Sequence, residues 1–159
     1  MLRDAVAADW PAVLALNEAS VHVLSPMTAD RLTALAEHAC YFRVIEQTGS
    51  VAAFLLAFRK GAPYDSPNFV WFDVRLDDFV YIDRVVIAAA FRGAGFATRL
   101  YDDLTAFARS CGVRRLTCEI DLEPPNPGSL AFHDKRGFCE IGRQRPEGAK
   151  LVSLRQISI

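Results

Sequence analysis

The chain has 159 residues, of which 52% are hydrophobic and 23% charged, enough to bury one continuous core and far from the composition of a disordered segment. Its 18 Lys and Arg against 19 Asp and Glu leave a net charge of -1, which excludes bulk attraction to nucleic acid or anionic lipid. We expect a single domain over residues 1–159 that captures its ligand locally.

The amino-terminal MLRDAVAADW carries early charge and lacks the apolar centre of a secretory signal, and no apolar run approaches the roughly 20 residues of a membrane span. A cytoplasmic protein is the expectation. Cys40, Cys111, Cys118 and Cys139 show neither metal-type spacing nor a disulfide framework and read as small core side chains. No metal is expected.

In chain order, LRDAVA suggests a first strand, and Asp9 before Trp10 and Pro11 predicts a capped helix to about Ala19. SVHVLSPM reads as a loop, followed by a short helix in TADRLTALAEHA capped by Thr28 or Asp30. YFRVIEQ and SVAAFLLAFRK, joined at Thr48 and Gly49, predict an antiparallel hairpin. Residues 59–78 then break the pattern with two prolines, a glycine and the aromatics Tyr64, Phe69, Trp71 and Phe72. Loops of this length are usually functional or disordered, and the aromatic content argues against disorder.

FVYIDRVVIA is a strand of strong β character, and a helix from about Ala94 to Cys111 follows, stopped by Gly112. RRLTCEIDL gives another strand before EPPNPG breaks the chain. Asn126 and Pro127 then start a helix that ends at Gly137, and FCEIGRQ with AKLVSLRQI close as a strand pair. Hairpins outnumber strict strand–helix–strand units. The fold class is therefore α/β in composition (α+β), with a mixed, mostly antiparallel sheet of about seven strands flanked by four helices.

Glycine costs roughly 1 kcal/mol against alanine in a helix, yet FRGAGFA places two where a strand ends and a helix begins. The first amides of a helix lack intrahelical partners and its dipole adds partial positive charge, so an anion fits there. Gly93 and Gly95 open the backbone to a phosphate, and Arg92 adds formal charge. The segment matches neither a Walker turn nor a dinucleotide fingerprint.

Two segments together resemble the GNAT superfamily of acyl-CoA-dependent N-acyltransferases. The first is the RGxGxA turn, Arg92, Gly93, Ala94, Gly95, Phe96 and Ala97. The second is NPGSLAFHDKRGF, with Asn126, Ser129, Phe132, His133, Gly137 and Phe138. The resemblance is sharp from about Tyr81 to Phe138. It implies acetyl-CoA as co-substrate, held in a cleft between splayed strands YIDRVVIA and LTCEIDL. Its pantetheine arm would pair with the backbone at Val85 and Ile87, and its pyrophosphate would rest on amides from Arg92 to Thr98. Asn126, Ser129 and Phe132 would line the groove, and strand amides near Val86 would polarise the carbonyl. It further implies an amine acceptor, small molecule or protein, attacking directly, and allows a homodimer.

His133 occupies the position where this family most often has a tyrosine that protonates the leaving thiolate. A helix histidine bonded at the groove edge is the other reading. For the base, Asp83 shares by period two the strand face of Tyr81 and Val85, but it could equally pair with Arg84. Glu119, Asp121 and Glu123 share another face, and Glu46 is a further candidate. Tyr64, Phe69, Trp71 and Phe72, with Glu119, are candidates for the acceptor wall. The same loop also reads as packed on its own aromatics or as a dimer contact. His22, His38, Tyr101 and Phe107 read as surface or packing residues. A binding module that senses acyl-CoA without turnover is the alternative function.

Overall fold

The computed structural model describes residues 1–20, 24 and 26–159. Its strands are β1 (Leu2–Asp4), β2 (Tyr41–Gln47), β3 (Ser50–Arg59), β4 (Val80–Ile87), β5 (Arg115–Asp121), β6 (Cys139–Gln144) and β7 (Val152–Ser158). The α-helices are α1 (Trp10–Ala19), α2 (Ala29–His38), α3 (Pro67–Asp73), α4 (Phe96–Ser110) and α5 (Pro127–Arg136). Among the described residues no helix is long and apolar enough to cross a membrane.

The seven strands form one sheet in the order β1-β2-β3-β4-β5-β7-β6. Every neighbouring pair is antiparallel except β4 and β5, which run parallel. That parallel pairing covers only Val80 opposite Leu116 and Tyr81 opposite Thr117. Beyond it the two strands part, leaving a gap in the middle of the sheet. One face of the sheet carries α4 and α5 over Ile82, Leu100, Leu104 and Cys118. The other carries α1, α2 and α3 over Phe54, Phe58, Tyr81 and Val86.

Local chemistry accounts for the element ends. The Thr28 hydroxyl accepts from the Arg31 amide and the Asn126 side chain from the Ser129 amide, capping α2 and α5. Asp9 does not cap α1 through its side chain. Instead it accepts two bonds from Arg3, both at 2.8 Å, and one from the Val6 amide. An ion pair with a bidentate guanidinium outweighs a single amide for a buried carboxylate.

Two expectations are corrected here. Four flanking helices become five, because the excursion at 59–78 contains α3, whose first residue is Pro67. Its two prolines and glycine read as breakers, yet proline suits the first helical position, where its missing donor has no partner to lose. The cysteines also divide: Cys118 is buried, whereas Cys111 and Cys139 are exposed at the end of α4 and the start of β6.

Strand β4 carries a bulge. Leu56 pairs with Arg84 and Ala57 with Ile82, so Asp83 is an extra residue without an opposite number on β3. The bulge reverses the alternation, so Tyr81 and Val85 pack in clusters on opposite faces rather than sharing one with Asp83.

Candidate active site

Where β4 and β5 separate, a cleft of about 600 Å³ opens. One wall is β4 at Ile82, Asp83 and Val85–Ile87; the other is β5 from Cys118 to Asp121. Helix α5 with its cap Asn126 adds Ser129, Phe132 and His133, and the start of α4 adds Ala97 and Tyr101. A sheet strand without a neighbour presents its own amides and carbonyls, so this cleft offers main-chain hydrogen bonds along an extended ligand.

At one end of the cleft lies the turn that joins β4 to α4. Gly93 and Gly95 both have left-handed backbones, φ +80° and +81°, and an added Cβ at either would meet no protein atom within 4 Å. Glycine is required there by conformation, since L-residues pay for φ near +80°. The rings of Phe91 and Phe96 stack 5.7 Å apart across the turn. The Arg99 amide is the one that bonds back to Gly95, so Phe96, Ala97 and Thr98 stand in the first turn, where helix geometry provides no acceptor. Arg92 and Gly93 line the cleft itself, whereas Ala94, Gly95, Phe96 and Thr98 shape the turn without lining it. The unshared amides, the dipole of a 15-residue helix and one arginine together fit a pyrophosphate.

A second cavity of about 370 Å³ adjoins the cleft, and Asp83, Glu119 and Asp121 line both. Its remaining wall includes Tyr64, Ser66 and Asn68 from the excursion, Arg84, and Pro146, Gly148, Ala149 and Lys150 from the β6–β7 connection. Three carboxylates therefore stand at the junction, and each is held differently.

Asp83 accepts from Tyr64 Oη at 2.6 Å on one oxygen and from Arg84 Nε at 3.0 Å on the other. Arg84 in turn donates to Asn17 Oδ1 at 2.9 Å, tying the pair to α1. Burial raises the pKa of Asp83 against the opposing pull of these partners. The Asp83–Arg84 pairing that the sequence left open is thus formed. Asp121 pairs with Lys150 at 3.2 Å.

Glu119 is different. It accepts from Tyr81 Oη at 2.6 Å and from Asn68, both neutral donors. Burial pushes its pKa up to about 8, with the charge of Asp83 adding to the rise. A carboxyl near neutrality, at the meeting point of two cavities, is suited to taking and returning a proton.

His133 is buried, and both of its ring nitrogens are engaged. Nδ1 lies 2.7 Å from the Ser129 carbonyl and so donates to it; Nε2, 2.8 Å from Tyr101 Oη, accepts. Burial lowers its pKa, which keeps the ring neutral near pH 7. The ring therefore braces α5 against α4 and presents no loosely held proton to the cleft, in line with the edge-bonded alternative.

The acceptor-wall assignment needs correction at three positions. Phe69 and Phe72 are fully buried, packing edge-to-face or tilted against Tyr81 at 5.6 and 6.0 Å, and neither lines a cavity. Trp71 packs against β6, where an added Cβ at Gly142 would lie 2.5 Å from its Cζ2, and Arg75 covers its ring at 4.2 Å. These aromatics anchor the excursion to the sheet, and Tyr64 alone of the four reaches the cavity. Their spacing of three, after Ser66-Pro67, is the helical signal that betrays α3. Tyr81, Asn68, Arg84 and Lys150 belong to the site but carry no sequence motif, and Tyr101 meets His133 in the cleft although it sits on the core-facing side of α4. His38 is exposed at the end of α2, and His22 lies outside the described residues.

Comparison with known proteins agrees with this architecture. Ard1 from Thermoplasma volcanium shares 16% identity and superposes with a TM-score of 0.79, covering 100% of this chain and 97% of its own. An N-acetyltransferase from Staphylococcus aureus Mu50 is 25% identical with a TM-score of 0.73, over 99% of this chain and 97% of its own. The protein yncA from Salmonella typhimurium, solved with its cofactor acetyl-CoA, is 20% identical with a TM-score of 0.74, over 99% and 92%. No curated protein matches the chain significantly. The sequence model described as acetyltransferase (GNAT) family matches residues 5–138, and on that match, with the split sheet and glycine turn it spans, the chain belongs to the GNAT acetyltransferase family.

Proposed function

We propose that the protein transfers an acetyl group from acetyl-CoA to a primary amine, which approaches from the smaller cavity and attacks directly at the junction with the larger cleft. Arg92, Gly93 and the first amides of α4 would hold the pyrophosphate, and the unpaired edge of β4 at Val85–Ile87 the pantetheine arm. Asn126, Ser129 and Phe132 would close the groove. Acetyl-CoA supplies an activated carbonyl when bound.

The chain's own part is positioning and proton transfer. Glu119 takes the proton that an ammonium acceptor must lose, and Tyr81 and Asn68 hold its carboxylate in place. Asp83, bound by Tyr64 and Arg84, serves as a charge-paired wall rather than as the base. The single observation that carries this reading is the position of Glu119, common to both cavities and with its pKa at about 8.

A thiol-release assay over a panel of primary amines tests it. Turnover that Glu119→Gln abolishes while acetyl-CoA still binds is the expected result. The second reading, a binding module for acyl-CoA without turnover, draws on the locked, neutral His133 at the family's usual acid position. Tight binding of acetyl-CoA with no thiol released from any amine would overturn the first reading in its favour.

A further inference from the structure

Resting on the reading above, the charges around the smaller cavity narrow the acceptor. Among the described residues five ionisable side chains line it: Asp83, Arg84, Glu119, Asp121 and Lys150. Four are matched within the wall, Asp83 with Arg84 at 3.0 Å and Asp121 with Lys150 at 3.2 Å. Among the described residues, Glu119 is the lining carboxylate with no cation in ion-pair range, its bonds coming from Tyr81 and Asn68. The rest of the lining, including Tyr64, Ser66, Pro146, Ala149 and Val152, is uncharged.

We infer that the acceptor is a primary amine of single positive charge whose body near the amine is uncharged, and that amines bearing a neighbouring carboxylate or phosphate are rejected. An ammonium brought against Glu119 favours its ionised form, and the resulting pair keeps the wall in charge balance. An anionic substituent would find Arg84 already committed to Asp83 and Asn17, and Lys150 to Asp121, with three carboxylates close by. Removing a charge from water without a partner is costly, so the penalty falls on the anion and not on the amine. The cavity, at about 370 Å³, lies at the lower end of ligand-pocket sizes and suits a compact amine body.

The test compares L-leucinamide with L-leucine, which share size but differ by one negative charge, with kcat/KM expressed per free amine because the carboxylate also raises the pKa of the leucine ammonium. We expect kcat/KM for the amide to exceed that for the acid by about tenfold or more, equivalent to about 1.4 kcal/mol. Asp121→Asn, which takes one carboxylate partner from Lys150, should lower this ratio, and Lys150→Gln, which leaves Asp121 without that cation, should raise it. A merely structural role for the pair would move both substrates together. A C-terminally amidated Leu-Ala-Ala used as well as leucinamide would support the charge rule and identify a peptide α-amine as its source. Equal or better use of leucine, or parallel shifts in the two variants, would overturn the inference. Calorimetric titration of both ligands into CoA-saturated protein reads the same preference without turnover. Preference without turnover would sink the catalytic reading alone, and absence of preference the inference.

Discussion

The larger cleft and the smaller cavity meet at three carboxylates but are built from different materials. The cleft is a main-chain device, made of a strand edge exposed where β4 leaves β5 and of helix amides behind two left-handed glycines. The smaller cavity is a side-chain device in which phenols, a guanidinium, an amide and carboxylates from α1, the excursion, β4 and β5 bond to one another. Main-chain recognition tolerates change in most side chains and suits a ligand common to many relatives. Side-chain recognition can be rewritten residue by residue and suits an acceptor particular to one of them.

The sharpest way to break this division is Glu119→Gln. It should reduce kcat/KM by about 10²-fold or more, the usual range for loss of a general base, while acetyl-CoA affinity is unchanged. In the unmodified protein, activity should climb as pH rises through about 8, where Glu119 loses its proton, and this limb should vanish in the variant. A steady-state pH profile checks both.

The same group links folding to pH. Its folded pKa of about 8 stands above the ordinary glutamate value of 4.5, so between these limits the folded state holds a proton that the unfolded state has released. Stability from this group is therefore full below about 4.5 and declines as pH rises toward 8. Thermal melts at pH 6 and 8.5 should differ less in Glu119→Gln than in the parent.

Tyr64→Phe takes a donor from buried Asp83 and should cost about 1–3 kcal/mol by chemical denaturation. Its kinetic signature is a raised KM for amine with the KM for acetyl-CoA unaltered. Gly95→Ala should show the converse. Imposing a Cβ on a residue with φ +81° costs roughly 1–2 kcal/mol, and the distorted turn should weaken acetyl-CoA binding while leaving amine KM alone. Calorimetry with CoA distinguishes the two variants, and equal effects of both on both ligands would erase the distinction between the two regions.

The regularities visible in the primary structure were those that repeat along it. Alternation in YFRVIEQ and SVAAFLLAFRK, the caps Thr28 and Asn126, the stops Gly112 and Gly137, and the glycines at 93 and 95 each act within a few residues. They are enough for the order of the strands and of every helix but α3, and for the turn. Helix α3 escapes the sequence because Ser66-Pro67 serves equally as a breaker and as a helix start, and only the burial of Phe69 and Phe72 against Tyr81 decides between them. The face of Asp83 is not legible in the sequence because a bulge depends on the partner strand, which alternation within β4 does not contain.

What the sequence determined alone was the fold class, the order of the seven strands and four of the helices, and a helix start able to receive an anion, because periodicity, capping and positive-φ glycines are local properties. Tertiary structure decided which of several carboxylates is paired and which is left to shift its pKa. Glu119 differs from Asp83 and Asp121 only in its neighbours, two neutral donors from β4 and α3 in place of a cation, and those neighbours are contributed by segments distant in the chain.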